Sequence, residues 1–166
     1  MKKLLLGLLI LGITTPLMAQ DIELSEVVVR PANYKYLESV DNQQAAIPVK
    51  LLEQKVANYD LKHSDIYDDS YDTYTVSFYI PDGKIVAAYD EDGNIIRTIE
   101  KFKNTKLPDP VRTAVVERFP NWEMTENAFQ VTYHDKKGIN HKGYKITLIN
   151  GDQVVKVKVD KDGNFM

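Results

Sequence analysis

The chain has no cysteine, which excludes a disulfide framework, a zinc–thiolate or iron–sulfur centre, a thiol nucleophile and a lipid-bearing cysteine. Histidine is scarce: His63, His134 and His141 are the only three, and none stands in a His-Glu-x-x-His arrangement. A Gly-x-Ser-x-Gly elbow, a phosphate-binding glycine loop and a Gly-x-Gly-x-x-Gly turn are also missing. No two carboxylates are picked out by spacing as an acid–base pair. The expectation is a protein without enzymatic activity, cofactor or bound metal. Positive charge is not in excess either, since 21 Lys and Arg against 24 Asp and Glu give a formal charge of -3. Such a chain lacks the clustered cations that displace counterions from nucleic acid.

Long apolar runs are equally few. The run from Leu4 to Ile13 is shorter than the ~20 residues a helical membrane span needs. It follows Lys2 and Lys3 and precedes Pro16-Leu17-Met18-Ala19, the three-part layout of a secretory signal peptide. Cleavage after Ala19 removes two lysines and no acid, taking the charge from -3 to -5. The expected product is periplasmic or secreted, has no stable membrane anchor, and meets another envelope or secreted protein rather than nucleic acid.

What remains, in 166 residues with 43% hydrophobic and 27% charged, suffices for one globular domain or two small ones. Its most informative feature is an internal repeat. Shifted by 70 positions, Tyr74 to Ile96 lies without a gap on Tyr144 to Met166. Tyr74 matches Tyr144, Asp82 matches Asp152, Asp90 matches Asp160, and Asp92-Gly93-Asn94 matches Asp162-Gly163-Asn164. A helix is expected before each copy. Pro48 stands near the start of one, with Val49, Leu52, Val56 and Tyr59 on one face. The other has Asp109 as cap, Pro110 as first helical residue, Val111, Val115 and Phe119 as a stripe, and Pro120 as its stop.

Period-two alternation marks the strands. Tyr74, Val76, Phe78 and Ile80 share a face, Pro81-Asp82-Gly83 turns the chain, and Ile85, Ala87 and Tyr89 return. Tyr144, Ile146 and Leu148 lead into Asn150-Gly151, a hairpin signal, and Val155, Val157 and Val159 alternate with Lys156 and Lys158. Phe129, Val131 and Tyr133 form a preceding strand. The expected fold is α+β, with two duplicated helix-plus-antiparallel-sheet repeats whose helices cover one face of the sheet. Its divisions are 1–19 signal peptide, 20–47 N-terminal extension, 48–100 first repeat and 101–166 second repeat. Within the extension, Ile22 to Val29 reads as an edge strand and Tyr34 to Ala46 as a loop across the sheet.

If the valines of the last strand point inward, Lys145, Thr147, Lys156 and Lys158 point outward together, as do Thr75, Ser77 and Tyr79. Lysines so placed can steer an acidic partner, or simply keep a solvated sheet soluble. His63 to Tyr74 gathers Asp65, Asp68, Asp69 and Asp72 among tyrosines. It reads as an exposed loop or charged edge first, then as a protein contact through Tyr71 and Asp72, then as a metal site. The two Asp-Gly-Asn segments lack the spacing of the common calcium loop and read as hairpin turns. The candidate binding residues are thus Tyr79, Lys145, Thr147, Lys156, Lys158, Tyr71 and Asp72. Capture of a small ligand or calcium in the periplasm, at the Asp-rich loop or the Asp-Gly turns, is the alternative.

The order Lys106-Leu107-Pro108, amphipathic helix, Phe119-Pro120, Trp122, Tyr144 to Leu148, Val155 to Asp160 and Asp162 to Phe165 resembles the PepSY-like family of small secreted bacterial proteins. That family's fold is similar to β-lactamase-inhibitor protein. The resemblance covers Tyr74 to Met166 well and Pro48 to Asp72 more loosely. It implies two helix-plus-sheet repeats with a concave face, a periplasmic or secreted location, and binding or inhibition of another protein, a peptidase among the candidates. It implies no catalytic residue.

Overall fold

In the computed structural model of the protein, residues 33–41 and 45–166 are described. The expected signal peptide, its cleavage site and the Ile22–Val29 strand lie outside the described residues.

Alternating apolar positions build β1 (Thr73–Ile80), β2 (Gly83–Asp90), β3 (Ile95–Lys103), β4 (Glu123–His134), β5 (Gly138–Asn150) and β6 (Gln153–Val159). They form one antiparallel sheet in chain order, β1-β2-β3-β4-β5-β6. Three helices complete an α+β architecture: α1 (Tyr34–Val40), α2 (Ile47–Ala57) and α3 (Asp109–Arg118). One core collects Tyr36 and Val40 of α1, Leu52 and Val56 of α2, and Val111 and Val115 of α3. Their counterparts on the sheet are Phe78, Ile85, Tyr89, Phe102, Val131, Ile146 and Val159.

The two hairpins expected at an offset of 70 share one register. Ile80 pairs with Gly83 and Asn150 with Gln153, each across a two-residue turn. The following Asp-Gly-Asn turns also coincide: Asp90 Oδ1 accepts from the N–H of Asp92 and Asn94, and Asp160 Oδ1 from those of Asp162 and Asn164. These are Asx turns, with each carboxylate engaged by its own backbone. The recurrence stops there. Residues 58–72, before β1, contain no strand corresponding to β4, and the equivalent of β3 after β6 is a single bridge between Val159 and Phe165.

Two local expectations are corrected. Residues 34–40 form α1 instead of a loop: Tyr36 and Val40, four residues apart, fill one face and are buried. Asp109 does not cap α3, because Pro108 is the residue with extended backbone at the boundary. Asp109 already lies in the first turn, where its carboxylate pairs with Arg112 at 3.1 Å.

Candidate binding face

Because the helices cover one side of the sheet, the alternate residues of all six strands are left on the other. Strand pairing sets these into rows. Tyr79 lies opposite Lys84, which lies opposite Lys101. Lys103 lies opposite Ala128, followed by Lys145 and Lys158. In the next row Glu126, Thr147 and Lys156 face one another, and an irregularity between Met124 and Glu126 sets that alignment.

The structure therefore gathers Lys145, Thr147, Lys156 and Lys158 into one patch on β5 and β6, and puts Tyr79 on the same face. Tyr79 stands on the opposite edge strand, four strand spacings or roughly 19 Å from β5. It is 68% exposed. Tyr71 and Asp72 are not brought to this patch. They precede β1 at the end remote from Tyr79, and the Tyr71 ring meets the core-facing Tyr74 edge-on. In the same loop Asp68 accepts from Ser70 through both N–H and Oγ. Among the described residues, no group of three or more His, Asp or Glu side chains converges as a metal site.

Sequence reasoning missed Lys84, Lys101 and Lys103, which join the patch to Tyr79. Lys84 precedes Ile85 in a plain alternation and was legible. In β3 the period is hidden, because two of its core-facing positions are Thr98 and Glu100. None of these six lysines lies within ion-pairing distance of a carboxylate among the described residues. Lys101, Lys103, Lys145 and Lys156 line a groove of about 390 Å³, with Asp82 and Glu126 also in its wall. A second groove of about 360 Å³ shares Lys101 and Lys103 and extends past Lys84 to Tyr79. A denser run of acids lies at the other end of the strands. There Asp60, Asp65, Asp68, Asp69 and Asp72 lie in the loop before β1, and Lys62 pairs with Asp92 at 2.9 Å across to the β2–β3 turn.

The helix-covered side holds a second polar group. Tyr36 Oη and Thr98 Oγ1 each donate to Glu100 Oε1 at 2.8 Å. Glu53 of α2 lies close enough to Glu100 for the two carboxyls to act on each other. Burial, first, and their mutual repulsion push the Glu53 carboxyl up, and burial pushes Glu100 up against the pull of its donors. Burial also raises the Tyr36 and Tyr89 hydroxyls, and Tyr89 Oη donates to Val56 O at 2.8 Å. Lys142 of β5 donates to the carbonyls of Val40 and Asp41 at the end of α1, at 2.8 and 3.1 Å. Its partial burial holds it below the ordinary lysine range.

Neither a family model nor a curated protein matches the chain. Among solved structures it is similar to a BLIP-like protein from Bacteroides fragilis NCTC 9343, at 17% identity and a TM-score of 0.35. The match covers 58% of this chain and 66% of that one.

Proposed function

We propose that the chain is an exported, non-enzymatic binding module, inhibitor-like in character, that engages another envelope or secreted protein through its open sheet face. The observation that carries this reading is the set of six lysines, without ion pairs among the described residues, on one face of a chain whose formal charge is -3. Like charges held together on a rigid sheet repel, and an acidic partner relieves that repulsion while steering encounter. Tyr79 adds a large, amphipathic contact at the far edge, suited to anchoring an interface. The partner is therefore one with an acidic surface, a peptidase among the candidates. The PepSY-like resemblance and the hairpin-and-turn recurrence both fit an origin by duplication, with the repeats divided near residue 100.

The test is affinity capture from envelope and secreted fractions with the chain from Gln20 onward, beside a K156E/K158E control shown by circular dichroism to be folded. One protein retained by the first and lost by the second, and then rebinding in purified form, is expected. Equal retention on both overturns the reading. The four-lysine groove of about 390 Å³ favours a second reading, capture of a small polyanion. Calorimetric titration with inorganic pyrophosphate and with citrate tests it. Heat at millimolar or tighter affinity supports that reading, and its absence removes it.

A further inference from the structure

Glu53 and Glu100 are 4% and 1% exposed, and both come from elements that pack α1 and α2 onto the sheet. Every other buried polar side-chain atom among the described residues finds a hydrogen-bond partner. The exceptions are one oxygen from each of these acids, Glu53 Oε1 and Glu100 Oε2. Two carboxylates cannot satisfy each other, whereas a carboxyl and a carboxylate can, through one proton between them. The remaining partners say which acid gives it. Glu100 already accepts from Tyr36 and Thr98, the pattern that favours a carboxylate, so Glu53 is the donor.

We propose that Glu53 and Glu100 share a single proton and form a pH-dependent latch that holds α1 against the sheet.

With the proton present, neutral Glu53 and anionic Glu100 carry one negative charge between them, opposite cationic Lys142. Without it, two anions face each other in a dry interior, and Asp41 at the end of α1, negative in both states, opposes the added charge further. The other titratable groups turned toward the cluster are Tyr36 from α1, Tyr89 from β2 and Tyr133 from β4, with Lys161 on the side of Lys142. Burial raises all three tyrosines above their ordinary range, so none gains charge before the acids do. α1 is the element that yields, because a helix of seven residues has little stability of its own. Its ties are Tyr36 to Glu100, Lys142 to its last carbonyls, and Asn33 at its start.

The sign follows from linkage. The pair as a unit holds its shared proton above the ordinary carboxylate range, so the docked state binds one more proton than the open one. Docking is strongest in the ordinary carboxylate range and weakens as pH rises through neutrality. One proton predicts an opening constant for residues 34–40 that rises up to ~tenfold per pH unit. Amide hydrogen exchange measured from about pH 5 to about pH 9, corrected for intrinsic base catalysis, reads this directly. In E53Q the side-chain amide donates to Glu100 at every pH, so the slope is expected to vanish. A flat profile in the unaltered protein, or an unchanged slope in E53Q, overturns the proposal. A second measurement needs no variant: carbon-13 titration of the glutamate side-chain carboxyls. One of the pair is expected to titrate well above the ordinary range, and ordinary titration by both overturns it.

Discussion

At Gly163 the backbone takes φ of +93°, and a Cβ there would sit 2.8 Å from the carbonyl oxygen of Pro110 and 3.2 Å from Ala114. Gly151, at φ of +56°, has nothing within 4 Å of the same position. The first glycine thus serves both a left-handed turn and the seating of α3, and the second serves only a turn. G163A is expected to cost about 3 kcal/mol or more, combining backbone strain with displacement of α3, and G151A about 1 kcal/mol. Urea unfolding of both variants checks the order, and equal losses would contradict the close approach. Both glycines were legible in sequence as turn residues, because Asn-Gly and Asp-Gly have a chemistry of their own. The close approach to Pro110 was not, since it depends on where the chain returns. Glu100 was hidden for another reason: a carboxylate breaks the apolar alternation at the place where it is buried.

Among the elements, α1 shows best where sequence reading stops. Its segment, Tyr-Lys-Tyr-Leu-Glu-Ser-Val, is too short to propagate and has no side-chain cap. It forms because tertiary ties hold it, and sequence pattern cannot show those. Asn33 is the chief tie at its start. Its Nδ2 donates to the carbonyls of Ala57 and Gly93 at 3.1 Å, and its Oδ1 accepts from Ile95 N at 2.6 Å, so one side chain joins the end of α2 to the β2–β3 turn. N33A strands three buried backbone groups and is expected to cost about 2–4 kcal/mol. Exchange protection should fall in residues 34–40 while β3 and β4 keep theirs. Uniform loss across the sheet would show that α1 belongs to the global folding unit. By contrast α2, α3 and the two hairpins were readable, since each carries its own apolar period, with Pro120 after α3 and turn residues in the hairpins.

For the whole molecule, charge is distributed by position and not by amount. A chain with a formal charge of -3 places a run of acids in the loop before β1 and the β2–β3 turn, and six lysines at the far end of the open face, beside Asp82 and Glu126. The patch on β5 and β6 was legible because Lys156 and Lys158 alternate with valines. Its extension across β2 and β3 depends on strand order, which brings residues about 50 positions apart into one row. That extension sets the last prediction. If the whole face meets an acidic partner, K101E/K103E should slow association as much as K156E/K158E, although the two pairs lie on different strands. Association should also fall steeply as salt rises from about 50 mM to about 300 mM, with dissociation changing much less, since screening acts on steering over distances near the Debye length. Surface plasmon resonance on the captured partner separates the two rates. A K101E/K103E variant that associates at the unaltered rate would confine the interface to β5 and β6, and the groove beside Tyr79 would then have no part in recognition.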